Sequence, residues 1–383
     1  MVKTPQTVSL KTVLVEWGRI GVVGFGGPPT HIALLRQRCV EERRWIDPRE
    51  FEDSIAVCNL LPGPASTQLA ILCARRVAGR AGAVVGGLAF IFPGFVAVIA
   101  LAALFLASSP PTWVLAVGAG AGAAIPAVAL NAGLGLAKPS WKATECRWRW
   151  ITYAFIGTLA AAAAGPFVVV ALLTCGCVEV AVTRIDRLAA FVPFFVVAGS
   201  VSVGGLGALS WVALKVGALS YGGGFVIIPL MQHDAVSVHH WMTDAQFLNA
   251  VALGQVTPGP VVLTVAAVGF AASGVGGAAL ATLVAFAPSF LFILTGAAWL
   301  DRLTESPNVR AFLRGAGPAA IGAIVGVALP LSLALGEWWQ FVALGLMVVW
   351  LAVLHKGVVG AIVGAGVIGV LLHLLGAPLP NVG

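Results

Sequence analysis

Moved along itself by 196 residues, the chain meets its own motifs again without a gap. Gly26-Gly27 falls on Gly222-Gly223, Trp45 on Trp241, Phe51 on Phe247, Pro62-Gly63-Pro64 on Pro258-Gly259-Pro260 and Phe90 on Phe286. Self-similarity at a fixed offset marks a tandem structural repeat. The loops between these motifs do not repeat in charge. Residues 36–49 carry Arg36, Arg38, Arg43, Arg44 and Arg49, residues 75–80 carry Arg75, Arg76 and Arg80, and residues 138–149 carry Lys138, Lys142, Arg147 and Arg149, whereas the matching stretches 232–245, 271–276 and 334–345 contain no Lys or Arg. Conversely, Ser108-Ser109-Pro110-Pro111-Thr112 is uncharged, while the region around its counterpart holds Arg302, Arg310 and Arg314. Short cytoplasmic loops accumulate Lys and Arg, so the alternation predicts two copies lying upside down relative to each other in a membrane. Inverted repeats of this kind are the architecture of secondary transporters.

Composition agrees. With 59% hydrophobic and 10% charged residues the chain is far more apolar than a soluble domain. Runs such as 81–107 and 346–376 exceed the ~20 residues that cross a bilayer. The net charge of +7 reads as membrane topology, with a second use in attracting anions, and not as a nucleic-acid surface. The six cysteines lack zinc spacing and read as reduced packing residues, so neither a metal nor a cofactor is expected. The start of the chain shows no cleavable signal pattern, which points to uncleaved insertion into an inner or plasma membrane.

The expected fold is an all-α polytopic membrane protein of two inverted repeats, 1–187 and 207–383, joined by a connecting crossing at 188–206. Each repeat contains two broken segments, around Gly24-Phe25-Gly26-Gly27-Pro28-Pro29 and Leu61-Pro62-Gly63-Pro64 in the first, and Tyr221-Gly222-Gly223-Gly224 and Thr257-Pro258-Gly259-Pro260 in the second. Charges at their ends favour re-entrant hairpins with these motifs at the tips, full crossings being the alternative. Helical hairpins are expected at about 149–183, turning near Gly165-Pro166, and at 338–376. Glycines four apart (82 and 86, 118 and 122, 322 and 326, 360 and 364) read as helix packing, and Trp45, Trp141, Trp148, Trp150, Trp241, Trp338 and Trp339 as interfacial anchors.

Non-helical backbone at membrane depth persists only within protein or beside a water-filled cavity. A helix starting after Pro-Gly-Pro directs free N–H groups and partial positive charge at its tip, which suits an anion. The candidate binding residues are therefore Gly26, Gly27, Pro62, Gly63, Gly222, Gly223 and Gly259 at the breaks, Ser66, Thr67 and Gln68 on the following helix, and Asn59, Gln255 and Thr257 approaching the tips. Arg19 and Lys215 occupy one repeat position inside apolar sequence and read as a symmetric pair of charge partners for a dianion, with snorkelling or an Arg19–Glu16 pair as the alternative. His31 is a candidate for proton coupling, with a hydrogen-bonded structural role as its alternative. His233, His239 and His240 read as a solvated outer loop. No His-Glu-x-x-His, Walker loop or paired Asp-rich motif appears, which disfavours a membrane enzyme or an ATP-driven pump.

At Gly24 to Pro29, at Leu61-Pro62-Gly63-Pro64-Ala65-Ser66-Thr67-Gln68 and at Gln255-Val256-Thr257-Pro258-Gly259-Pro260 the chain resembles the chromate ion transporter family, in its long two-domain form. The resemblance covers essentially the whole chain. It implies a bacterial inner-membrane carrier that exports chromate, confers chromate resistance, runs on the proton motive force and has sulfate as a close substrate analogue. A sulfate or other inorganic-anion carrier and an uncoupled anion channel are the competing functions. The partners expected are the anion and the lipid bilayer, and a homodimer is left open.

Overall fold

A computed structural model describes residues 8–61, 63–107, 110–163, 167–183, 205–220, 224–296 and 306–380. These residues are helical, with no strand among them. In the first copy α1 (Leu10–Val23) and α2 (Pro28–Arg36) flank the Gly-Gly-Pro-Pro break, and α3 (Pro48–Leu60) leads to the Pro-Gly-Pro motif. Then follow α4 (Ala65–Phe105), α5 (Thr112–Lys142), α6 (Arg147–Ala163) and α7 (Val168–Thr183). The second copy runs α8 (Leu206–Leu219), α9 (Ile228–Gln232), α10 (Asp244–Val256), α11 (Thr264–Thr295), α12 (Pro307–Gly326), α13 (Ala328–Leu333), α14 (Trp338–Val348) and α15 (Val358–Leu374).

The repeat extends to backbone detail. The bounds of α1 and α8, and of α3 and α10, are 196 apart, and so are two π-helical turns, Gln37–Glu42 and His233–Val238. Arg44 and His240, also 196 apart, share the same positive φ of 51°. Local chemistry starts the equivalent helices: Asp47 caps α3 through the Arg49 amide with Pro48 in the first turn, and a Thr243–Gln246 capping box starts α10.

Beyond the Pro-Gly-Pro tips the offset falls to 195, which corrects the gapless alignment. The kink Ala78-Gly79 corresponds to Ser273-Gly274, Pro93 to Pro288, and the start of α5 at Thr112 to that of α12 at Pro307. Gly21 packs on the Phe90 carbonyl and Gly217 on the Ala285 carbonyl, so Ala285 and not Phe286 is the structural counterpart of Phe90. The physical reason lies at Val261–Leu263, which begins the second copy's helix as a 3₁₀ turn. Three residues rising about 2.0 Å each cover the length of four α-helical residues rising about 1.5 Å each.

Helix α4 is continuous by hydrogen bonding but reverses direction at Ala78 (φ −140°) and Gly79 (φ 68°). A Cβ on Gly87 would lie 2.8 Å from the Ile71 side chain. Those residues would be about 24 Å apart along a straight helix. Gly269 meets Gly277 and Ala281 across the matching turn in α11. Arg76 bonds to Glu50, tying α3 to the half-helix that follows the tip. Residues 48–77 therefore form a helical hairpin with Gly63-Pro64 at its tip, and α1–α2 form another around Gly24–Gly27.

The copies interlock. Gly63, before α4, lies beside Ser289 near the far end of α11, while Gly94, far along α4, lies against Pro258, so the two hairpins pass in opposite directions. The α6–α7 hairpin of the first copy packs on α12 of the second, and α14–α15 of the second pack on α5 of the first. Glycines permit these approaches: Gly322 and Gly326 abut the Ala154 and Thr158 carbonyls, and Gly369 abuts the Ala116 carbonyl. Gly364 does not serve this purpose, since nothing lies within 4 Å of a Cβ there, whereas a Cβ on Gly360 would lie 3.5 Å from the Trp350 ring.

Among the described residues four helices are long and apolar enough to cross a membrane, and large apolar side chains such as Phe92, Leu283 and Leu333 are exposed on the outside. The molecule is an all-α, multi-pass protein of the bacterial inner membrane. The tryptophans divide. Trp148 and Trp338 are exposed, but Trp339 is buried and donates to the Pro378 carbonyl at 3.0 Å, which makes it a packing residue. Of the connecting segment 188–206, residues 188–204 lie outside the described residues, as does the Gly165-Pro166 turn, and Leu206 already belongs to α8.

Candidate functional site

Two reciprocal hydrogen bonds join the breaks of the two copies. The Gly63 amide donates to the Ser220 carbonyl at 3.0 Å, and the Gly259 amide donates to the Gly24 carbonyl at 3.0 Å. Each Pro-Gly-Pro tip thus docks on the other copy's first break. Gly63 (φ 123°) and Gly259 (φ 101°) take backbone conformations that disfavour any side chain, which explains glycine at both positions.

On one side of this crossing lies a cavity of about 890 Å³. Gly26, Gly27, Asn59, Gly63 and Gln255, all singled out from sequence, line it. Its walls come from α3 and α5 of the first copy and from α12 of the second, and the charged side chains lining it are Arg310 and Arg314. With Gly317, Ile321 and Ile324 they form one stripe along α12. At the equivalent place in the other copy, Leu115, Gly118, Ala119 and Gly122 of α5 line a residual space of about 20 Å³. There Gly118 packs on the Asn249 side chain and Gly122 on Leu248, both from α10. The Gln340 amide seals the same place by donating to the Ala119 carbonyl at 2.9 Å. On the sealed side α10 sits on α5, whereas on the open side the cavity separates α3 from α12.

The remaining sequence candidates lie away from the cavity wall. Ser66, Thr67 and Gln68 are buried behind the first tip. Thr257 turns its hydroxyl to the Leu253 carbonyl of its own helix. Buried around the crossing, the Thr67, Ser220 and Ser289 hydroxyls and the Gln255 amide nitrogen have no hydrogen-bond partner among the described residues. Pro62, Gly222 and Gly223 lie outside the described residues.

Neither Arg19 nor Lys215 lines the cavity. Arg19 is exposed on α1, and Glu16, its alternative partner, is buried and bound instead by Arg38 and Arg43 at 2.6 and 2.7 Å. The Lys215 ammonium reaches Asp234 at 2.5 Å. Asp234 is the repeat equivalent of Arg38, so each copy ties its first helix to its π turn by an ion pair of opposite polarity. A buried, geometrically paired charge is a structural tie, and its partner was invisible in the local sequence of Lys215.

His31 is fully buried, with Nε2 2.9 Å from the Gly24 carbonyl and Nδ1 3.2 Å from the Ser66 hydroxyl. A carbonyl only accepts, so Nε2 carries the proton, and Nδ1 of the neutral ring accepts from Ser66. His31 thus braces the break that receives the second tip. Its repeat equivalent is Ile227, which leaves the second copy without this brace.

Sequence reasoning missed Arg310, Arg314 and Asn131 as cavity-lining residues. By sequence the first two read as loop charges, although their four-residue spacing ahead of an apolar stripe is a usable signal.

A sequence model of the family described as "Chromate transporter" matches residues 11–180 and again residues 207–370. The chain is 30% identical over 346 residues to the chromate transport protein of Cupriavidus metallidurans, covering 86% of this chain and 84% of that protein. It is 30% identical over 355 residues to the chromate transport protein of Pseudomonas aeruginosa, covering 86% and 82%. It is 28% identical over 336 residues to a probable chromate transport protein of Synechococcus elongatus, covering 85% of each. No solved structure matches. The two family matches fall on the two copies, so the repeat seen in the backbone is the family unit taken twice, in a protein that is a transporter and not an enzyme. The chain belongs to the chromate transporter family.

Proposed function

We propose that this protein carries a tetrahedral dianion, chromate first among them, from the cytoplasm outward, and thereby confers chromate resistance. The observation that carries this reading is the 890 Å³ cavity that ends on broken-helix tips of both copies and is lined by two arginines. The glycine-rich break at Gly26-Gly27 offers backbone amides, and Asn59 and Gln255 offer side-chain amides, the donors a dianion requires in place of water. The cavity extends to Ser140, Ala143 and Thr144, at the end of α5 where Lys138 and Lys142 lie, a cytoplasmic end by loop charge. The opposite passage of equivalent hairpins supports the inverted arrangement, and the sealed counterpart at Gly118 and Asn249 supports a carrier over an open channel. In this reading the two sides open alternately, with α10 leaving α5 as α3 closes on α12.

Labelled chromate uptake into inverted vesicles tests the reading. Uptake that saturates, is competed by sulfate and collapses with a protonophore is expected. Uptake that matches protein-free vesicles would overturn transport, and uptake indifferent to the protonophore would remove the proton motive force as its energy source.

A further inference from the structure

The cavity and its sealed counterpart have the same place in the repeat but not the same chemistry. Arg310, Leu313, Arg314 and Gly317 of α12 correspond to Leu115, Gly118, Ala119 and Gly122 of α5. Whichever side opens, the walls are therefore unequal. One presents two guanidinium groups and the other none. Arg310 and Arg314 are four residues apart, which sets them on one helical face, and their summed charge equals that of a dianion. Guanidinium forks suit oxyanions because each offers paired N–H donors in a plane. Opposite them the cavity wall offers Asn59 and Gln255. Glu145 lies 3.6 Å from Arg314, but both side chains are well exposed, so the pair is weak and yields readily to a competing anion.

We propose that Arg310 and Arg314 form a one-sided loading site for an inorganic tetrahedral dianion, which binds tightly while the cavity faces their side and weakly once the Leu115–Ala119 side opens instead. The proposal rests on the carrier reading and deepens it. Glu145 occupies Arg314 in the empty site and is displaced on loading. A dianion released past Leu115 and Ala119 meets no cation on that wall, which eases its release there, while the direction of net movement is set by the gradients across the membrane.

Equilibrium binding of labelled chromate to the detergent-purified protein reads loading without translocation. Arg310→Gln and Arg314→Gln should each weaken binding about ten-fold or more, the usual worth of a charged hydrogen-bonded contact. Arg310→Lys and Arg314→Lys should lose less, Glu145→Gln should tighten binding at low salt, and Arg19→Gln should change nothing. An unfolding midpoint for each variant separates misfolding from lost contact, and the Lys variants cover a Gln variant that fails to fold. In liposomes, the Gln variants should raise KM from the arginine face while leaving KM from the other face unchanged. Wild-type affinity in both Gln variants, or equal KM shifts at both faces, would overturn the loading site while leaving the carrier intact. Arginine-dependent binding without flux would count against the carrier alone, and no chromate binding by the wild type would overturn both.

Discussion

The face of α12 that lines the cavity and the face of α5 that is sealed are one element written twice, and they differ in what stands against them. On α5, Gly118 and Gly122 admit Asn249 and Leu248 of α10 to close contact. On α12, Leu313 replaces Gly118 while Gly317 keeps the second glycine, and Arg310 and Arg314 stand where α5 has Leu115 and Ala119. The sealed side is built from small and apolar residues that tolerate dry contact. The open side carries charges whose desolvation would be costly unless an anion accompanied them. In the carrier reading proposed above, these two faces are equivalent doors, and side-chain chemistry decides which stands open when the site is empty.

Breaking the ion pairs that brace the two copies should give the largest effect. Lys215→Met leaves Asp234 partly buried without its partner and is expected to cost about 3 kcal/mol of stability. Exchanging the pair, Lys215→Asp with Asp234→Lys, should recover much of that loss, because the first copy uses the opposite polarity at Glu16 and Arg38. Denaturant unfolding in detergent checks both. An exchanged variant no more stable than Lys215→Met would show that the second copy requires its own polarity.

The tips should respond unequally and less strongly. At Gly63 a Cβ would meet the Gln68 amide nitrogen at 2.6 Å and Ser289 Oγ at 3.0 Å, besides the strain of φ 123°. At Gly259 the nearest atom is 3.4 Å away, leaving mainly the strain of φ 101°. Gly63→Ala is expected to cost about 2–3 kcal/mol and Gly259→Ala about 1–2 kcal/mol, from the usual cost of a strained backbone plus the added contact. The same unfolding assay reads the order, and a reversed order would show that the first tip yields more easily than the second.

Much of this fold was legible because glycine and proline state backbone demands directly. The breaks at Gly26-Gly27 and Gly63, the hairpin tips and the two copies follow from such residues, and so does the cavity that forms where helices stop. The π turns were not legible, since Gln37–Glu42 and His233–Val238 share position but little sequence. The one-residue slip after the tips was hidden by the coincidence of Phe90 and Phe286, both buried. Charge was the least transparent signal. Lys215 looked unpartnered because Asp234 reaches it only through the tertiary fold, and Arg310 and Arg314 looked like loop markers because the start of α12 could not be placed against a cavity from sequence alone.

Exchange between the two sides is tested most directly by matched disulfides in a chain freed of its six native cysteines. Among these, Cys146 has a thiol held below its usual pKa by hydrogen bonds from Arg149, and Cys58 lines the cavity. A Cβ at Gly118 would lie 3.0 Å from Asn249 Cγ, so Gly118→Cys with Asn249→Cys should bond readily in the resting protein. The repeat-equivalent pair, Leu313→Cys on α12 with Asp53→Cys on α3, where Asp53 stands 196 residues before Asn249, should bond only during turnover with chromate. The account predicts that the first disulfide stops chromate flux, that reductant restores it, and that chromate raises the yield of the second while lowering that of the first. Undiminished flux with the first disulfide fully formed would contradict it.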